Sequence, residues 1–225
     1  MNEFTLIGEI EEKNPLTYLI TVSNLLNNAN FKSKDTIFRL IYNKVDCEYE
    51  FAECHEVSDR IELLNFSNGI VGEIKSIGKW DGWFCSFNRE DICFDVGFGK
   101  SDKNVCNCYI KLAVRYLIIL LQTDNTNHLY RLLAKILKVG KSRIGIMDVG
   151  FEIPSLTESR ILEGLLDSPV NPGYPVSVGF IVPEILDSCL DKQNIQLHFS
   201  SRLLPEKYWA LEERDYLEVY SQLTP

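Results

Sequence analysis

The sequence lacks paired cysteines, a long uncharged apolar segment and an excess of basic residues. Its seven cysteines include no CxxC pair, and their odd number argues against a disulfide framework. Residues 1–14 also lack the basic and apolar regions of a signal peptide. These absences predict a cytoplasmic protein with reduced thiols, in which buried cysteines act as small hydrophobic residues.

The shortage of basic residues restricts the classes of partner. Lysine and arginine total 23 against 32 aspartates and glutamates, for a net charge of −9. Because binding along a nucleic-acid backbone needs a basic surface, we expect no nucleic-acid partner, and a basic protein is the better match. Residues 116–123 form an uncharged apolar run far below the roughly 20 residues that cross a bilayer, so we expect no membrane span.

The apolar content is sufficient for a folded core, with 45% hydrophobic and 11% aromatic residues. A length of 225 residues allows one large domain or two small ones. We expect an α+β fold, with a subdomain over residues 1–100 that contains an antiparallel meander packed on helices. A helix-rich, mixed α/β subdomain over residues 101–225 would share its core.

The most apolar segment, residues 101–122, predicts a central helix. Asp102 can cap its first turn, and Asn107, Lys111 and Arg115 fall close to one helical face. Because almost all other residues of the segment are apolar, we expect a buried helix over residues 102–122. A buried strand through residues 116–121 is the competing interpretation.

Strand patterns concentrate in the first half of the chain. Apolar residues alternate over residues 47–51, 83–87 and 92–98, which indicates half-buried strands. Asn68-Gly69 and Asp81-Gly82 are dipeptides that favour hairpin turns. Together they predict a meander of about five antiparallel strands.

Helix signals occur on both sides of the meander. Asn14 followed by Pro15 predicts a capped helix start, and residues 36–45 are interpreted as a second helix. The remaining expected elements are helices over residues 128–138, 157–166, 183–190 and 205–223 and strands over residues 4–10, 143–151, 176–182 and 195–199.

A partial phosphate-loop motif, Gly97-Phe98-Gly99-Lys100-Ser101, lies before the predicted central helix. The full motif requires a glycine five residues before Gly99, and Phe94 occupies that position. A glycine turn that leads into a capped helix is the simpler interpretation.

A metal-dependent nuclease is an alternative function. Glu73 and Lys75 form a Glu-x-Lys pattern with Asp59 upstream, which resembles the metal-binding and water-activating residues of restriction-type nucleases. The three-residue pattern is common, and an acidic protein is a poor match to a nucleic-acid substrate. Surface charges are therefore the preferred interpretation.

Metal or cysteine chemistry has only scattered candidates. Cys54, His55, Cys85 and Cys93 lack the paired spacing of a structural zinc site. A cysteine nucleophile assisted by one of the three histidines has no defining pattern either. The sequence therefore assigns no catalytic residue, metal site or cofactor.

An acidic stretch beside two tryptophans is the strongest candidate surface. Acidic rims accelerate capture of basic partners, and tryptophan is enriched among the residues that dominate binding energy. The alternative is a solvated acidic strand with one or both tryptophans packed in the core. The candidate partner-binding residues are Glu48, Glu50, Glu53, Trp80, Asp81 and Trp83.

In length, acidity, α+β pattern and lack of a catalytic motif, the chain resembles the immunity proteins of bacterial toxin–immunity pairs. Such cytosolic proteins hold a cognate toxin inactive, often by plugging a basic active-site cleft. The resemblance implies a non-enzymatic protein, without a cofactor, whose partner is a basic toxin domain. A divalent-metal-dependent nuclease or other hydrolase and an intracellular scaffold or adaptor remain alternatives, and the oligomeric state is open.

Overall fold

The computed structural model describes residues 3–43, 48–56, 81–89, 92–100, 105–113, 126–149, 156–167, 178–188 and 198–213. Within these ranges it contains strands and helices in an α+β arrangement. The strands are β1 (Glu3–Glu9), β2 (Lys32–Asn43), β3 (Glu48–Glu56), β4 (Gly82–Arg89), β5 (Ile92–Lys100), β6 (Cys106–Ala113), β7 (Ile144–Val149), β8 (Val178–Ile181), β9 (Phe199–Leu203) and β10 (Trp209–Glu213). The helices are α1 (Pro15–Asn28), α2 (Thr126–Val139), α3 (Glu158–Asp167) and α4 (Pro183–Ser188).

The ten strands form one sheet in the order β3-β2-β4-β5-β6-β1-β7-β8-β10-β9. Every ladder between neighbours is antiparallel. The expected mixed α+β class is confirmed. β5 and β6 pair with each other across the predicted boundary at residue 100, so the sheet is continuous there.

Hydrophobic clusters cover both faces of the sheet, because successive strand residues point to opposite sides. Phe4 and Leu6 of β1 belong to the larger cluster, together with buried residues of α1 and α2. Ile7 belongs to the second cluster, which includes Ile161 and Leu165 of α3. β1 is therefore buried on both faces and lies between β6 and β7.

The predicted capped start of α1 is confirmed. The Asn14 side-chain oxygen accepts hydrogen bonds from the backbone N–H groups of Leu16 and Thr17, at 2.9 and 3.1 Å. Pro15 occupies the first helical turn, where its missing N–H costs nothing. These contacts fix the residue at which α1 begins.

The predicted central helix is wrong over Cys106–Ala113, which is strand β6. The strand is bonded to β1 on one side and β5 on the other. The spacing of its polar residues explains the wrong prediction. Asn107 and Lys111 are four residues apart, and residues at that spacing lie on the same face of either a helix or a strand. Residues 114–122 lie outside the described residues.

Two further helix predictions are wrong. Residues 36–43 belong to β2 and not to a helix. The ladder between β2 and β4 is irregular between Ser33 and Ile37, which disturbs the simple alternation that marks a strand. The helix predicted over residues 205–223 is wrong over residues 205–213. Pro205 begins a turn, in which Lys207 has a positive φ of 65°, and β10 follows it. Residues 214–223 lie outside the described residues.

Other predictions are confirmed or untested. Helices α2, α3 and α4 and strands β1, β7 and β8 lie where the sequence predicts them, within a few residues. The hairpin predicted at Asn68-Gly69 lies outside the described residues. Among the described helices, none is long and apolar enough to cross a membrane.

Candidate functional site

Three of the candidate binding residues lie on β3, at one end of the sheet. Within the described part of the chain, β3 is bonded to β2 alone. An edge strand of this kind offers its backbone N–H and C=O groups to a partner. Glu48, Glu50 and Glu53 are paired in register with Asn43, Ile41 and Arg39 of β2.

A bulge in β3 sets the position of Glu53. Arg39 and Leu40 are adjacent on β2, yet their partners Glu53 and Phe51 are two residues apart. Ala52 is therefore the extra residue of a β-bulge. Because of this residue, all three glutamates pair with every second position of β2, although their sequence spacing is uneven.

Asp81 belongs to the same end of the sheet. It is exposed and directly precedes β4, and its carbonyl oxygen accepts a hydrogen bond from the Lys100 backbone N–H at 2.6 Å. The next residue, Gly82, pairs with Leu40, which also pairs with Phe51 of β3. Asp81 thus lies about two strand spacings, roughly 10 Å, from the acidic strand.

Trp83 lies in the core and not on the surface. Its side chain is 0% exposed, and its indole Nε1–H donates a hydrogen bond to the Pro15 carbonyl oxygen at 2.9 Å. Its ring centroid is 6.0 Å from that of Tyr18. This placement matches the sequence alternative in which a tryptophan packs inside, and Trp80 lies outside the described residues.

Gly97, Phe98, Gly99 and Lys100 of the partial phosphate loop belong to strand β5, so neither the loop nor the glycine turn forms over these residues. Ser101 lies outside the described residues. Gly97 pairs with Phe84 of β4. A Cβ atom at Gly97 would lie 2.5 Å from Cδ2 of the Phe84 ring. This glycine therefore makes room for an aromatic side chain and does not bind a phosphate.

Buried cysteines behave as the sequence predicts for small hydrophobic residues. Cys85, Cys106 and Cys108 are unoxidised and 0% exposed. Burial, with a smaller effect of the Asp95 carboxylate, raises the pKa of the Cys85 thiol to about 12. Burial likewise raises the pKa of the Cys108 thiol to about 11. Both thiols stay protonated near neutral pH, which makes them poor nucleophiles.

The scattered zinc candidates do not converge in the described residues. His55 pairs with Ile37, which in turn pairs with Cys85, so one strand separates the two candidate ligands. No group of three or more potential ligands is present in the part of the chain that the structure describes. The candidate nuclease residues Asp59, Glu73 and Lys75 lie outside it.

A polar pocket that the sequence did not single out opens at the end of α1. It has a volume of about 640 Å³ and is lined by residues of β2, β4 and the turn after α1. The lining residues are Asn30, Lys32, Asn88 and Arg89. An asparagine-rich turn was the only sequence signal there, and it marked the end of a helix without indicating a pocket.

Comparisons with protein-family models, with curated proteins and with solved structures found no match.

Proposed function

We propose that this chain is a non-enzymatic binding protein, an immunity protein that inhibits a cognate bacterial toxin by covering its active site. The supporting observation is the acidic strand β3, which lies at one edge of the sheet that the structure describes. Its bulge gives Glu48, Glu50 and Glu53 equivalent register positions, and alternate positions of a pleated strand share a face. Three glutamates at alternate register positions provide a row of negative charge that resembles an extended anionic substrate.

The edge position of β3 adds a second way to hold a partner. Among the described strands, β3 has β2 as its single neighbour, and a strand with one unpaired side can receive a strand from another protein through backbone hydrogen bonds. Acidic side chains on this edge disfavour pairing with a second copy of the same strand, because like charges would meet. They favour a partner that is basic where it contacts β3.

The glutamates are not expected to contribute equally. Arg39 is the register partner of Glu53, and oppositely charged residues across a ladder stabilise each other. Glu48 and Glu50 have Asn43 and Ile41 opposite them, and neither residue is charged. We therefore assign the larger share of partner attraction to Glu48 and Glu50.

Association kinetics test the acidic strand. We expect the triple variant Glu48→Lys, Glu50→Lys and Glu53→Lys to lower the association rate with a basic partner about tenfold or more and to weaken its salt dependence. A matched control reverses Glu11, Glu163 and Glu184, which changes the net charge equally elsewhere. Equal association rates for the two triple variants would show that β3 is not the binding surface.

Toxicity assays test the function itself. The candidate partner is the product of the reading frame next to this gene in its genome, or a protein that co-purifies with the wild-type chain. We expect that protein to arrest growth when expressed alone and to be neutralised by co-expression of this chain. Binding without neutralisation would instead support a scaffold or adaptor, and metal-dependent cleavage of DNA by the purified chain would support the nuclease alternative.

A further inference from the structure

We propose that the pocket formed by Asn30, Lys32, Asn88 and Arg89 binds a small oxyanion ligand that carries a phosphate or carboxylate group. The pocket volume of about 640 Å³ falls within the roughly 300–1,000 Å³ of small-molecule sites. Among the described lining residues, two side chains are cationic and two are amides, and each of them can donate hydrogen bonds to an anion. The site includes no residue of β3, and its test is independent of the proposed function.

The Arg89 guanidinium is held in place by two contacts. Its Nη1 donates to the Ala29 carbonyl oxygen at 3.2 Å, and its Cζ atom lies 4.6 Å from the centroid of the Phe31 ring. Phe31 is itself buried and packs edge-on against Phe94, with ring centroids 4.7 Å apart. The guanidinium has five N–H donors, so most remain for a ligand after the contact with Ala29.

Lys32 and Asn88 form the second half of the pocket. They are directly opposite each other on β2 and β4, and Cβ atoms of such a pair lie about 4.5–5.5 Å apart. Lys32 is exposed, and neither it nor Arg89 forms an ion pair with a carboxylate in the described structure. Two cations that have no carboxylate partner among the described residues share one concavity, and such a concavity attracts an anion even on a chain of negative net charge.

The turn after α1 completes the site. Asn30 has a positive φ of 63°, a conformation that asparagine tolerates better than most residues. Its backbone N–H donates to the Asn27 carbonyl oxygen at 2.9 Å, which ties the turn to the last turn of the helix. Because Arg89 and this turn are fixed before a ligand arrives, little conformational entropy is lost on binding.

Titration of the 225-residue chain with pyrophosphate and with citrate, at constant ionic strength, tests the proposal by ¹⁵N–¹H NMR. We expect saturable shifts centred on the backbone amides of residues 30–32 and 88–89 for at least one anion. The tighter anion identifies the ligand group as phosphate or carboxylate. Shifts for neither anion, or shifts that do not saturate, would overturn the proposal.

Charge variants provide the second measurement. Lys32→Gln should weaken binding about tenfold or more, because the variant loses one charge-assisted hydrogen bond to the anion. Asn88→Asp, which is isosteric and adds a negative charge, should abolish it. Lys138→Gln removes the same charge from the exposed face of α2 and should leave affinity unchanged. Equal affinities for the Lys32 and Lys138 variants would show that the pocket does not hold the anion.

Discussion

Two tryptophans of this molecule have different roles, and the extent of their burial decides the role of each. Trp83 is 0% exposed and its indole N–H is bonded to Pro15, whereas Trp209 is only partly buried in the second hydrophobic cluster. The alternation of residues 83–87 showed that Trp83 lies on a strand. It could not show which face α1 covers, because that depends on contacts across 68 residues of sequence.

Replacement of Trp83 by phenylalanine should lower the free energy of unfolding by about 2 kcal/mol. The variant loses packed ring atoms and leaves the buried Pro15 carbonyl without its donor. Urea denaturation followed by circular dichroism measures the change, with Trp209→Phe as the control that should lose less. Equal losses for the two variants would contradict the larger contribution to stability that we assign to the buried Trp83.

Elements with a local signal were predicted well, and elements defined by distant partners were not. α1 has its cap and its proline in the sequence, so its start was predictable. β6 became a strand because β1 and β5 supply hydrogen-bond partners on both sides, and neither partner is visible in the segment itself. The acidic residues of β3 could be identified from the sequence itself. Their position at the edge of the described sheet and the bulge at Ala52 could not, because both depend on pairing with β2.

The strand assignment of β6 makes a specific prediction for Lys111. Lys111 pairs in register with Asp95 of β5, and its Nζ atom lies 5.9 Å from the Phe84 ring centroid. Lys111→Glu would place like charges directly opposite each other and should cost about 1–2 kcal/mol of stability. Lys111→Gln removes the charge without repulsion and should cost less. Identical urea midpoints for the two variants would contradict this pairing.

At the scale of the whole molecule, β1 occupies a central position in the sheet that the structure describes. β1 is the neighbour of both β6 and β7, so the N-terminal strand joins two strands from the other half of the chain. Phe4, Leu6 and Ile7 of β1 also contribute to the clusters on both faces of the sheet. Contacts of such large sequence separation are invisible to local patterns, which predicted two subdomains that meet near residue 100 and share a core.

Separate expression of residues 1–100 and residues 101–225 tests this organisation. The second fragment lacks β1, so β6 and β7 lose the strand between them and the core loses its buried side chains. We expect neither fragment to unfold cooperatively alone, and the two to recover β-sheet circular dichroism and elute together once mixed. Cooperative urea unfolding of residues 101–225 alone would show that the second half has its own core and that β1 is dispensable to it.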